Sequence, residues 1–194
     1  ITNEAYMPTG SYTDKLKDKL GLANVYKHGY SGHCIGAGLH GTLADSTKLS
    51  AISALNPDLL IFLGGTNDFG NIPFTALGSV DSVNVAETLG GLRYIIRYFQ
   101  KNNPNMILVV CTPTPRDGQF DVNGKGYNLQ DYVEGIKTVC AKYSVPVVDL
   151  FSRSGIGYQD RESFSYFLTD GLHLSDAGYE RITSIQANEI KLLK

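Results

Sequence analysis

Tryptophan is absent from the 194 residues, and cysteine occurs only three times. Cys34, Cys111 and Cys140 are odd in number and show no C-x-x-C spacing, so they define neither a disulfide framework nor a zinc site. Cys111 and Cys140 end or follow apolar runs, the usual setting of small buried hydrophobes. No apolar run approaches the ~18–20 residues of a membrane-spanning helix. Leu59–Leu63 is only strand-sized. Charge of one sign is also lacking: 17 basic against 19 acidic residues leave a net charge of −2, with no basic block. Nucleic acid is therefore not expected as a partner. No repeat, linker or low-complexity tract interrupts the chain. The odd cysteine count and the lack of a recognisable leader incline the expected location to the cytoplasm, with secretion left open for a chain whose start lies upstream. The oligomeric state is not legible.

What is present is a core of adequate size, with 42% hydrophobic residues, and a strand–helix alternation. Tyr12, Leu16 and Leu20 recur at helical spacing and Gly21 follows as a stop. Ala23–Tyr26 reads as a short strand. Leu49, Ile52 and Leu55 mark a helix ending before Pro57. Leu59–Leu63, closed by Gly64-Gly65, fits a strand buried on both faces of a parallel sheet. Leu89, Leu92, Ile96 and Phe99 mark a helix stopped near Pro104, and Met106–Val110 is another buried strand. Leu129, Tyr132, Val133, Ile136 and Val139 mark the next helix, and Val145–Leu150 a fourth strand. Ser175 can cap a last helix through Ile182, Ile185 and Ile190. Strands separated by helix-length segments imply right-handed βαβ units and a parallel sheet covered on both faces. The expectation is a single α/β domain over residues 1–194. Ligands of such sheets bind beyond the carboxyl ends of the strands. The long connections 66–85, 113–128 and 151–174, and the loop after Tyr26, are where a site should lie.

Three of those loops carry polar motifs: His28-Gly29-Tyr30-Ser31-Gly32-His33, Gly64-Gly65-Thr66-Asn67-Asp68 and Asp170-Gly171-Leu172-His173. Each has a bland reading. Asp170 and His173 could be a capping pair before the last helix. Asn67-Asp68 could be a simple turn, with Asp68 pinning the loop through backbone N–H groups. Ser31 suits a loop-pinning hydroxyl. His28, His33 and His40 raise a metal site, but no i, i+4 pair or carboxylate cluster supports one. Cys34 beside His33 raises a Cys–His nucleophile. Arg116 can meet a substrate or face solvent, and Phe164, Tyr166 and Phe167 can line a pocket or simply pack.

In order and spacing, the three motifs resemble blocks II, III and V of the SGNH (GDSL) hydrolases, and the Gly-Gly-Thr-Asn-Asp-Phe-Gly-Asn version resembles bacterial members. The strand–helix alternation is similar over almost the whole chain. The resemblance implies a three-layer α/β/α, flavodoxin-like fold with a five-stranded parallel sheet. It implies a serine esterase without cofactor or metal. His173 would be the base, Asp170 its orienting carboxylate, and Asn67 and Gly32 oxyanion donors beside the nucleophile's own amide. It departs at the start. The family's Gly-Asp-Ser would fall immediately before Ile1, with its hydrophobic strand ahead of that, and Ser11 is the only nearby substitute. Short acyl groups, above all O-acetyl groups on a small-molecule or carbohydrate ester, are the expected substrate. A lysophospholipase or thioesterase of the same fold, and a non-catalytic carbohydrate-binding relative, are the alternatives.

Overall fold

The computed structural model describes residues 12–193. Their order is α1 (Tyr12–Leu20), α2 (Ser46–Ser53), β1 (Leu59–Leu63), α3 (Thr66–Gly70), α4 (Thr88–Asn102), β2 (Ile107–Cys111), α5 (Leu129–Lys142), β3 (Val147–Val148), α6 (Leu150–Arg153), α7 (Arg161–Phe167) and α8 (Asp176–Lys191). The fold is α/β, with strands in the order β1-β2-β3. β1 and β2 run parallel, from Leu59 opposite Ile107 to Leu63 opposite Cys111.

The chain divides into two compact units. One comprises residues 32–113 and 119–147. Its core follows from periodicity: α4 buries Leu89, Leu92, Ile96 and Phe99, and α5 buries Leu129, Tyr132, Val133, Ile136 and Val139. α4 packs on α5 and on α2. Asn128 and Asp131 close a reciprocal capping box at the start of α5, which satisfies two N-terminal donors. The other unit comprises residues 12–31, 114–118 and 148–193. In it α1 lies on α8: Gln186 Nε2 donates to the Tyr12 hydroxyl at 2.7 Å, and Lys15 and Lys19 both pair with Glu180. Ser175 caps α8, accepting from Gly178 N at 3.1 Å.

Several sequence expectations need correction. Of the four strands expected among the described residues, three are formed. The strand expected ahead of Ile1 lies outside them. Residues 23–26 form no strand; Ala23, Asn24 and Tyr26 are exposed, and the strand formers Val25 and Tyr26 have too little burial to hold one. β3 is cut to two residues because Asp149 turns the chain and caps α6, accepting from Ser152 N. β1 is half-buried along its whole length rather than buried on both faces. The long connections hold three short helices, α3, α6 and α7, each too short to show a helical period.

One buried charge organises the first unit. Asp68, in α3, is fully buried. Its Oδ2 accepts from Ile35 N at 2.8 Å, and its Oδ1 from Gly36 N at 3.0 Å and from the Thr88 hydroxyl at 2.9 Å. Thus α3, the 35–36 loop and the first residue of α4 meet at one carboxylate. Gly36 permits the approach, since a Cβ there would fall 2.6 Å from the Ala86 carbonyl oxygen. Burial raises the Asp68 pKa, and the Gly36, Ile35 and Thr88 donors oppose that rise. Asp68→Ala would leave two buried backbone N–H groups without an acceptor, at about 1–3 kcal/mol each. Urea denaturation should show a loss of about 2–6 kcal/mol at unchanged slope. A loss below about 1 kcal/mol would show that the carboxylate is dispensable.

Candidate active site

Asp170 and His173 are brought together as their spacing suggested. His173 Nδ1 lies 2.7 Å from Asp170 Oδ2. The other oxygen, Oδ1, accepts from the backbone N–H of His173 at 2.7 Å and of Leu172 at 3.0 Å. The carboxylate therefore both closes the turn and aims the ring. Gly171, at φ 77°, supplies the left-handed residue on which the turn depends. Outside the turn, Thr169 N and Oγ1 both donate to the His173 carbonyl. Leu168 bridges Leu174 at the base, and the Ser175 hydroxyl donates to the Tyr166 carbonyl at 2.7 Å. His173 is 37% exposed, so its ring remains open to a reactant.

Electrostatically the pair is polarised. Desolvation would raise the Asp170 pKa, but the His173 and Leu172 amides and the His173 ring outweigh it and bring it from 3.8 to about 2. Arg116, half-buried, faces the same loop. Burial lowers its pKa, and the charges of Asp117 and Asp170 oppose that.

In the other unit, the G-x-N-D turn and the glycine loop are joined by two asparagines one helical turn apart. Asn67 Nδ2 donates to the His33 carbonyl at 2.9 Å, and Asn71 Nδ2 to the Gly32 carbonyl at 3.1 Å. Consecutive carbonyls of the loop are thus held by α3 and its C-terminal cap. The bond to His33 uses one of the two hydrogens of the Asn67 amide, and so orients the other. Gly65, at φ 105°, turns β1 into α3; a Cβ there would come 3.0 Å from Ile136 Cδ1. Gly32, at φ 73°, lies under the His40 ring, 2.7 Å from Cδ2 to a hypothetical Cβ. Asn71 was not singled out from the sequence, although the run Asn67-x-x-x-Asn71 carries the i, i+4 signal.

The remaining candidates fall into place. His33 packs on Gly41 and His40 on Gly32. Among the described residues no three His, Cys, Asp or Glu side chains gather as a metal site. Cys34 is buried, and burial, followed by the Asp68 charge, pushes its thiol up to about 11, unsuited to thiolate chemistry. Phe164 is core, stacked edge-on against Tyr158, whereas Tyr166 is 66% exposed. Ser11 lies outside the described residues. Among those residues, no helix is long and apolar enough to cross a membrane.

One unit thus carries a carboxylate-oriented imidazole on the loop before the last helix, and the other carries a Gly-Gly-Thr-Asn-Asp turn at the end of a parallel strand. The chain belongs to the GDSL-like lipase/acylhydrolase family, whose model matches residues 2–181. It is accordingly an ester hydrolase. One solved structure is 30% identical, covering 95% of this chain and 89% of its own length, with a TM-score of 0.81. A protein from Lactobacillus plantarum is similar at 22% identity over 98% of this chain and 92% of that one, with a TM-score of 0.86. An acetyl xylan esterase shares the fold at 16% identity, over 92% of this chain and 90% of its own, with a TM-score of 0.58. No curated protein is similar enough to match.

The geometry fixes a pH response. Because the Asp170 pKa is lowered on folding, its ionisation stabilises the loop at every pH above its ordinary 3.8, and that stabilisation is lost as the pH falls towards about 2. By 13C NMR the Asp170 carboxyl should titrate near 2 in the native protein. It should move part of the way back in His173→Ala, where the two backbone donors remain. A native midpoint at the ordinary carboxylate value would contradict the geometry.

Proposed function

We propose that the protein is a serine esterase for short-chain acyl esters, with O-acetyl groups on carbohydrate as its substrate class. The observation that carries the reading is the 2.7 Å contact between Asp170 Oδ2 and His173 Nδ1. It selects the tautomer whose Nε2 is free to take a proton. The serine that the family resemblance puts ahead of Ile1 would give its hydroxyl proton to Nε2 as its oxygen bonds to the acyl carbon. The carbonyl oxygen then becomes an oxyanion, and the second Asn67 N–H, the Gly32 N–H and the serine amide are the proposed donors to it. As the tetrahedral species collapses, the C–O bond to the alcohol breaks and the alcohol leaves with the proton from Nε2. Water, deprotonated by the same nitrogen, attacks the acyl-enzyme and releases the acid.

The preference for small acyl groups is supported by the loops. They are rich in Tyr, Asn and Gly and contain no long apolar run to cover a fatty chain. The fold likeness to an acetyl xylan esterase is consistent with this. The activity needs no cofactor under this reading.

In the intact protein, His173→Ala should abolish most ester hydrolysis while the fold persists. Asn67→Ala should lower kcat by about 10²–10³ with a smaller change in KM, because the donor acts on charge that develops in the transition state. A folded His173→Ala variant at wild-type turnover would remove the base assignment. A KM-only effect in Asn67→Ala would make it a ground-state contact.

A p-nitrophenyl ester series from acetate to palmitate tests the substrate class. kcat/KM should be greatest for acetate and propionate, because an added methylene gains its ~0.8 kcal/mol only where an apolar pocket receives it. A steady rise towards long chains would instead favour a lysophospholipase or thioesterase.

A further inference from the structure

The hydrogen bonds inside the Asp170–His173 turn fix its shape, but they do not fix its place. That is set at its tip and its base. The Gly171 carbonyl accepts the backbone N–H of Asp117 at 2.7 Å. The Asp117 side chain lies over the same glycine: a Cβ on Gly171 would fall 2.0 Å from Asp117 Oδ2. The second carboxylate oxygen, Oδ1, accepts from Arg161 Nη1 at 2.8 Å. Arg161 opens α7, and its guanidinium carbon stands 5.2 Å from the Tyr158 ring centre and 4.9 Å from that of Phe164. Phe164 is buried core. α7 ends at Phe167, and the next residue, Leu168, bridges Leu174 across the base of the turn. A closed ring results, running from α7 through Leu168 to Gly171, across to Asp117, and through Arg161 back to α7.

We propose that Asp117 is a positioning residue for the Asp170–His173 pair, held in place by Arg161 and acting through Gly171. The inference rests on the reading of that pair as the base of ester hydrolysis. The Arg161 and Asp117 side chains are 59% and 48% exposed, so their ion pair contributes little to global stability. Its effect is on where the imidazole stands. Reaction geometry is far more sensitive to small displacements than the folding equilibrium is.

The test measures kcat and KM for p-nitrophenyl acetate in the intact protein carrying Asp117→Ala, Asp117→Asn, Arg161→Gln or the double substitution Asp117→Ala/Arg161→Gln, with His173→Ala alongside. Asp117→Ala and Arg161→Gln should each lower kcat about 5- to 50-fold and leave KM within about twofold. The double variant should be no worse than the poorer single one, because both break the same link. Asp117→Asn, which keeps an oxygen for Arg161, should stay closest to wild type. Melting temperatures should agree within about 3 °C. If Asp117→Ala does not fold, Arg161→Gln carries the same test, since it leaves the Asp117 backbone bond to Gly171 in place. Wild-type kcat in Asp117→Ala or Arg161→Gln, with His173→Ala inactive, overturns the positioning role and spares the dyad. Losses that multiply in the double variant, or an effect on KM alone, overturn it equally. Full activity in His173→Ala overturns the dyad and the positioning role together.

Discussion

The Asp68 carboxylate is the constraint on which the glycine-loop half of the molecule depends. A fully buried charge is tolerated only when its lone pairs are met. Here the partners are drawn from two separate stretches, the 35–36 amides and the Thr88 hydroxyl, and they tie both to α3. Removing water from the carboxylate thereby dictates where the 33–43 loop and the start of α4 must lie. Once that is set, Asn67 of α3 and Asn71, which caps its end, meet consecutive carbonyls of the glycine loop. The polar chemistry of this unit is built on a backbone that the buried charge has already fixed.

The dyad turn follows the opposite economy. Its carboxylate is half-exposed, and it is satisfied by amides two and three residues away. A short local turn of this kind costs little entropy to close. It orients the imidazole without a core around it, and that leaves His173 accessible.

How much of this was legible in the sequence depends on the range of the interaction. α4, α5 and α8 announced themselves through apolar spacing, and Ser175 and Gly21 through end chemistry. The Asp170–His173 contact was legible because it spans three residues and its middle is glycine. The structural role of Asp68 was legible as a residue type beside a turn, but not its partners, which are 20 to 33 residues away. α3, α6 and α7 escaped because four to seven residues hold less than two turns, although Asp149 and Asp160 were caps in plain view. The strand expected at Ala23–Tyr26 shows the limit of propensity for an exposed segment. Asn71 and Asp117 went unnoticed because each acts on a carbonyl or a glycine far along the chain, which composition does not reveal.

The cysteines carry a last consequence. All three are completely buried and none is in a disulfide. Burial pushes Cys34 up to about 11 and Cys140 to about 12, so within the native fold these sulfurs are protonated thiols shielded from solvent. The native molecule is therefore inert to alkylating dyes, whereas the open chain offers every sulfur it has. Labelling becomes a clock for unfolding that needs no engineered probe, in a chain whose lack of tryptophan denies it the usual fluorescent one.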